Sequence, residues 1–94
     1  YAVEPAEHCS LPDASADLVL IAQALHWLDL AAFHTEVSRV LKADGVYAAV
    51  CYGLLHVSAD LDPLLHHFEP GVVGPWWPPE RALIDTAYAT IDFP

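Results

Sequence analysis

The segment DLVLIAQALHWLDLAAFHTEVSRVLKADGVYAAVCY, which spans residues 17–52, decides the fold. Its continuous apolar run at 18–22, which follows Asp17, predicts a strand over 17–22 that is buried on both faces of a parallel sheet. Apolar side chains then recur every three or four residues over 29–42, which predicts a helix with Asp29 as its N-cap. Gly45 is expected to end this helix in a left-handed turn, and the run 46–52 predicts a second strand. Strand, helix and strand with short connections predict a βαβ unit with parallel strands.

The segments on either side of this unit are predicted from their prolines and apolar spacing. Residues 1–3 resemble the end of a strand, and residues 4–16 form a loop marked by Pro5 and Pro12. Further along, we expect a helix over 59–68 with Pro63 in its first turn, a loop over 69–77, a helix over 79–89 and the start of a strand at 90–93.

The composition is unusual for a chain of 94 residues. Hydrophobic residues make up 55% and charged residues 17%, against typical values of about 45–50% and about 25%. A small domain has proportionally more surface and should be more polar than average. Together with the absence of Met, this predicts a piece of a larger α/β domain.

Charge and cysteine content exclude several classes of protein. Three basic side chains stand against thirteen acidic ones, for a formal net charge of −10. Because nucleic-acid binding needs clustered Lys and Arg, we expect no nucleic-acid partner, and no anionic membrane. The apolar runs fall short of the roughly 20 residues of a membrane span. Two cysteines are too few for a disulfide framework, which indicates a cytoplasmic setting. The six histidines form no ligand motif, so no metal site is expected.

A series of short motifs resembles one enzyme family over nearly the whole chain. The pattern is similar to the second half of class I S-adenosylmethionine-dependent methyltransferases, closest to the type 11 domain and the trans-aconitate methyltransferase-like enzymes. The motifs that carry the resemblance are Ala6-Glu7, Leu11-Pro12-Asp13 with Asp17, Ala22-Gln-Ala-Leu-His-Trp27, Arg39-Val-Leu-Lys42 with Gly45, Pro75-Trp-Trp-Pro78, Glu80-Arg81 and Tyr88.

The resemblance implies an α/β fold, namely a partial Rossmann-like methyltransferase fold truncated at both ends. Residues 1–53 would form the second half of the Rossmann-like core. Residues 54–94 would form a helical insertion over the substrate side and the start of the C-terminal strands. The family binds its cofactor, S-adenosyl-L-methionine, partly through a glycine-rich loop, and the four glycines here form no G-x-G. The 94 residues are therefore expected to be inactive alone.

The implied function is methyl transfer to a small molecule, with a carboxylic acid as one candidate acceptor. Two alternatives stay open: a non-catalytic interaction module, and part of another doubly wound enzyme that uses a nucleotide sugar or NAD. The residues leave the oligomeric state open.

The candidate site residues follow the carboxyl ends of the predicted strands, where this fold binds its ligands. By resemblance, Ala6 and Glu7 would meet the adenine of the cofactor, although Glu7 has the alternative of a solvated loop carboxylate. Gln23, Trp27 and His26 would line the methyl-transfer channel. Trp27 would face the sulfonium as a cation–π partner. His26 would orient a substrate oxygen or take a proton. The alternatives are packing of the loop for Trp27 and a helix cap for His26.

Three residues near the C-terminus complete the candidate site. Trp76 and Trp77 lie among prolines and would roof an apolar substrate pocket, or else anchor the insertion on the core. Arg81 would pair with an anionic substrate, or else lie at the surface early in a helix.

Overall fold

The computed structural model describes residues 1–94 and contains one parallel βαβ unit. Strand β1 (Ala16–Ala22) is followed by helix α1 (Leu30–Val40) and strand β2 (Leu41–Val50). The two strands pair in parallel from Leu18 opposite Val46 to Ala22 opposite Val50. The α/β class and the parallel crossover are confirmed, and the pairing is that of a partial Rossmann-like fold.

Helix α1 begins where its sequence predicts. The Oδ1 atom of Asp29 accepts a hydrogen bond from the Ala32 N–H at 3.0 Å, which satisfies one of the free donors of the first turn. Phe33, Val37 and Val40 form its buried stripe. Glu36 is buried on the same face, although its carboxylate is charged.

The predicted end of this helix at Gly45 is wrong. Helix α1 ends at Val40, because Leu41 is already extended, with φ −69° and ψ 141°, and opens β2 directly. No glycine has a positive φ. Gly45 instead allows a close approach, since a Cβ there would lie 2.8 Å from Leu41 Cδ2 and 3.1 Å from the Ala16 carbonyl oxygen. The strand pairing is irregular between Ala16 and Leu18, which accommodates the early start of β2.

The predictions for the C-terminal half and for residues 1–3 are also corrected. Helix α2 (Asp62–His66) is shorter than expected, and a wide π-helical segment, His67–Val73, replaces both the end of the expected helix and the start of the expected loop. Helix α3 (Ala82–Asp85) follows the single turn Pro79–Arg81 and stops early, because Ala87 and Tyr88 adopt left-handed φ values of 49° and 60°. Residues 1–3 and 90–93 form no strand, since neither segment has a partner strand to pair with.

The core lies on one face of the two-stranded sheet. Side chains alternate between faces along a strand, and the inward ones pack against a buried cluster of Leu25, Phe33, Val37, Ile84 and Tyr88. The outward face is exposed, so the prediction of burial on both faces is wrong for this chain. The exposed outward side chains are Leu18, Leu20, Val46 and Val50.

None of the helices is long and apolar enough to cross a membrane.

Candidate functional site

Gln23 joins the carboxyl ends of the two strands. Its backbone N–H donates to the Val50 carbonyl oxygen at 2.8 Å. Its side-chain Nε2 donates to the Tyr52 carbonyl oxygen at 3.2 Å, and its Oε1 accepts from the Tyr52 N–H at 2.8 Å. Gln23 itself has a φ of 52°, which turns the chain away from the sheet. The amide of Gln23 therefore extends the strand pairing beyond β2.

The single helical turn Leu25–Trp27 places His26 and Trp27 just beyond this edge. Leu25 is fully buried and anchors the turn in the core. His26 is 4% exposed, and its Nδ1 lies 3.3 Å from the hydroxyl oxygen of Tyr88. Trp27 is 64% exposed and lies beside the imidazole, with ring centroids 4.9 Å apart. The turn therefore presents one buried polar ring and one open aromatic face.

Burial sets the protonation of the His26–Tyr88 pair. Burial lowers the pKa of His26, and the positive charge of Arg81 lowers it further. Burial raises the pKa of the Tyr88 hydroxyl, with a smaller contribution in the same direction from Cys51. Near neutral pH the pair is therefore an uncharged imidazole against an uncharged phenol.

The turn at Ala6 and Glu7 lies beside the start of helix α1. Glu7 Oε1 accepts from the Asp29 N–H at 3.2 Å, so this carboxylate is tied to the residue that caps the helix. The Ala6 N–H makes no hydrogen bond within the chain. Glu7 is therefore a loop carboxylate with one partner within the chain, and both its contact with adenine and its alternative as a solvated carboxylate stay predictions.

A polar cluster around Glu36 and Arg39, not predicted from the sequence, holds the loop of residues 9–13. Glu36 accepts from the Cys9 N–H at 2.8 Å and from Arg39 at 2.6 and 2.8 Å. Arg39 also donates to the carbonyl oxygens of Leu11 and Cys9 and binds Asp13 at 2.6 Å. The hydrogen bond from Arg39 and that from the Cys9 N–H hold the pKa of Glu36 well below its usual range. An acid and a base three residues apart on α1 were the available signal.

Arg81 lies close to His26, but the tryptophans differ in their surroundings. The turn Pro79–Arg81 packs against the turn that carries His26. The Arg81 guanidinium lies 4.7 Å from the Trp77 ring centroid and 3.3 Å from Asp85. Trp76 is 86% exposed. The structure thus brings Arg81 and its stacked Trp77 to the same end of the sheet as His26, while Trp76 extends into solvent.

A cavity of about 600 Å³ lies beside Tyr52, beyond the carboxyl end of β2, and its lining includes Leu55, His56 and Glu69. A second cleft, of about 290 Å³, lies near Gly45 at the start of β2, far from the candidate site residues. No group of three or more His, Cys, Asp or Glu side chains in residues 1–94 has an arrangement that could hold a metal ion.

A parallel βαβ unit is the building block of doubly wound α/β domains, a class that binds its ligands at the carboxyl edge of the sheet. Within that class, the sequence model of a family described as a methyltransferase domain matches residues 1–49. The chain belongs to this class I methyltransferase family. This membership favours a methyltransferase over the NAD and nucleotide-sugar enzymes.

Proteins of three organisms show the same similarity. A Dictyostelium discoideum protein whose name ascribes methyltransferase activity to it is 35% identical over 94 residues. A Mycobacterium tuberculosis protein named as an uncharacterized methyltransferase is 52% identical over 40 residues, or 43% of this chain and 16% of the relative. A solved Anaeromyxobacter dehalogenans structure, described as a type II methyltransferase, matches all of this chain at 44% identity with a TM-score of 0.82. The present chain spans 36% of the Dictyostelium protein and 40% of the solved chain.

Proposed function

We propose that this chain forms part of an S-adenosylmethionine-dependent methyltransferase that acts on a small molecule in the cytoplasm, in the trans-aconitate methyltransferase-like group. The observation that carries the proposal is the convergence of Gln23, His26, Trp27 and Arg81 at the carboxyl edge of β1 and β2. Ligands of doubly wound α/β domains bind at this edge.

The residues present fit one end of S-adenosylmethionine. The Ala6 N–H is a free donor for an adenine ring nitrogen, and the Glu7 carboxylate beside it can accept from the exocyclic amine. The exposed face of Trp27 suits a positively charged sulfur. When bound, the cofactor supplies a methyl group on a sulfonium, which is an activated donor. Because the Gln23 amide is engaged by Tyr52, Gln23 acts by fixing the edge rather than by direct contact.

A carboxylic acid is the acceptor that the charges favour. A carboxylate is already a nucleophile, so no base is needed, and rate enhancement can come from alignment and exclusion of water. Arg81 supplies a positive charge beside the buried His26. Trp77, on which Arg81 stacks, offers an apolar wall beside that charge, and Trp76 an exposed apolar surface.

A chimera tests this function. The present chain would replace the matched 40% of the Anaeromyxobacter protein, to which it is 44% identical. We expect the chimera to bind S-adenosylmethionine in calorimetry and to transfer its methyl group to carboxylic acids, and the 94 residues alone to show no saturable binding. A folded chimera that binds neither S-adenosylmethionine nor its demethylated product would overturn the proposal.

Trp27 provides a sharper test within that chimera. Trp27→Leu should weaken binding of S-adenosylmethionine roughly two- to five-fold, as expected for loss of an exposed cation–π contact. Binding of S-adenosylhomocysteine, whose sulfur is uncharged, should change less. The ratio of the two affinities therefore separates loss of the cation–π contact from a general weakening of binding. Equal weakening of both would show that Trp27 only packs the loop.

The exposed apolar face of the sheet favours a second candidate, a non-catalytic interaction module. Leu18, Leu20 and Val46 are each more than half exposed, and contiguous apolar surface often marks a binding site. Sedimentation of the 94-residue chain separates the two candidates. Self-association, combined with a folded chimera that transfers no methyl group, would favour the module.

A further inference from the structure

Tyr88 reaches His26 through a strained turn. Ala87 and Tyr88 both have left-handed φ values, 49° and 60°, and a bulky residue rarely adopts this conformation. The turn directs the Tyr88 ring into the core, where it is 3% exposed. Its hydroxyl then meets Nδ1 of His26 at 3.3 Å, across 62 positions of sequence. The methyl-transfer function proposed above assigns no task to Tyr88.

The surroundings of the hydroxyl decide which partner donates. Tyr88 is buried, and Nδ1 of His26 is the only hydrogen-bond partner of its hydroxyl within the chain. If the hydroxyl accepted from an Nδ1–H, its hydrogen would be buried with no acceptor, so the arrangement with the hydroxyl as donor is favoured. The hydroxyl hydrogen then points at Nδ1 of His26. Since a neutral imidazole has one acceptor nitrogen and one N–H, a proton on Nε2 completes this arrangement.

The second ring nitrogen of His26, Nε2, has no hydrogen-bond partner within the chain. Every fully buried side-chain nitrogen or oxygen in the chain has a hydrogen-bond partner. Nε2 of His26 therefore keeps some accessible surface. The turn that carries Arg81 packs against the turn that carries His26.

We propose that Tyr88 is a positioning residue that donates its hydroxyl hydrogen to Nδ1 of His26, so that Nε2–H faces outward as a hydrogen-bond donor to an anionic substrate oxygen. His26 then orients the acceptor and does not take a proton from it. The substrate part of this inference rests on the proposed methyltransferase function. The placement of the proton does not, because it depends only on contacts within the chain.

The charged and titratable groups around the pair support a neutral ring. Arg81 faces His26 from the turn before α3 and disfavours an imidazolium. Tyr88 faces it from beyond α3, and Cys51 and Tyr47 approach Tyr88 from β2 and its end. None of these is a carboxylate that would favour the charged ring.

Titration of His26 by NMR tests the direction of the hydrogen bond. A donor on Nδ1 stabilises the neutral ring, so Tyr88→Phe should raise the pKa of His26 by roughly 0.5–1 unit. If Tyr88 had only a structural role, Tyr88→Phe would not be expected to raise the pKa of His26. A fall in the pKa, or no change in a folded variant, would overturn the proposal, because an Nδ1–H that donates to Tyr88 predicts the opposite shift. His26→Gln assigns the resonance.

The chain contains its own matched control. Tyr47 places its hydroxyl 3.3 Å from Nε2 of another histidine, His34. Tyr47→Phe therefore removes the same group but should leave the His26 titration unchanged. If Tyr88→Phe unfolds the chain, two-bond ¹⁵N–¹H couplings of the wild type decide. Protonated Nε2 and bare Nδ1 support the proposal, and a protonated Nδ1 overturns it. Loss of methyl transfer with this tautomer intact would refute only the proposed function.

Discussion

The Gln23→Glu substitution tests whether one side-chain amide closes the carboxyl edge of the sheet. The native amide donates to the Tyr52 carbonyl oxygen at 3.2 Å and accepts from the Tyr52 N–H at 2.8 Å. The introduced carboxylate has nearly the same shape and still accepts from that N–H. It places a negative oxygen against the Tyr52 carbonyl, where an N–H donor stood.

The expected loss of stability follows from replacing the N–H donor to the Tyr52 carbonyl oxygen by a negative oxygen. Losing one amide–carbonyl hydrogen bond costs about 1 kcal/mol net. Repulsion between the two oxygens adds to this, but Tyr52 is 72% exposed, and water weakens repulsion at such a site. We therefore expect the free energy of unfolding to fall by about 1–2 kcal/mol. Each kcal/mol corresponds to roughly 4–8 °C in Tm for a domain of this size.

The loss should depend on pH in a direction that the geometry fixes. A protonated carboxyl group can again donate to the Tyr52 carbonyl oxygen, so the folded state favours the protonated form. The pKa of the introduced group is then raised above the value of about 4.3 in the unfolded chain. The destabilisation is full above this raised pKa and shrinks as the pH falls through it.

Urea unfolding followed by tryptophan fluorescence, from about pH 8 to about pH 4, measures the difference from wild type at each pH. Gln23→Ala loses both bonds and adds no titratable group, so its difference should not vary with pH. A Gln23→Glu chain as stable as the wild type at about pH 8, or a difference that grows as the pH falls, would refute the reasoning.

Three further changes probe other parts of the chain. Ala14→Gly should raise the free energy of unfolding, measured by thermal melts, by about 1 kcal/mol, since Ala14 has a φ of 49°. Ala31→Gly in α1 is the matched control and should lower the free energy of unfolding by a similar amount. Gly45→Ala should lower it by about 1–3 kcal/mol through overpacking in urea unfolding, and unchanged stability would contradict the close approach. The stability that Glu36 contributes is present above the ordinary carboxyl pKa and is lost as the pH falls, because its folded pKa is lowered. Glu36→Gln should therefore flatten the acid side of the stability profile, and a profile as steep as the wild type's would count against the role of Arg39.

The sequence predicted the parts of the fold that local pattern controls. The apolar run of β1, the stripe on α1 and the Asp29 cap depend on residues within a few positions of one another, and all three are confirmed. The end of α1 was wrong, because Gly45 could serve either a left-handed turn or a close backbone approach. The pairing of β1 with β2 requires the close backbone approach at Gly45, and local sequence pattern does not encode that pairing.

The candidate site was predicted in position but not in its internal contacts. The carboxyl edge follows from the parallel βαβ topology, which placed Gln23, His26 and Trp27 there. Their partners come from far along the chain: Tyr52 lies 29 positions from Gln23, and Tyr88 lies 62 positions from His26. No periodicity spans such separations, so the roles of these residues in binding stay predictions.

The hydrogen bonds between Arg39 and the loop of residues 9–15, which precedes β1, have a consequence for limited proteolysis. The loop is surface-exposed, yet the Ala14 N–H bonds to the Arg39 carbonyl oxygen and the Ser15 N–H to that of Val40, beside the bonds from the guanidinium. A protease must free the backbone that it cuts. Cleavage between residues 9 and 15 would therefore require the hydrogen bonds between this loop and the last turn of α1 to break first. The rate of such cleavage would report on how often the βαβ unit opens.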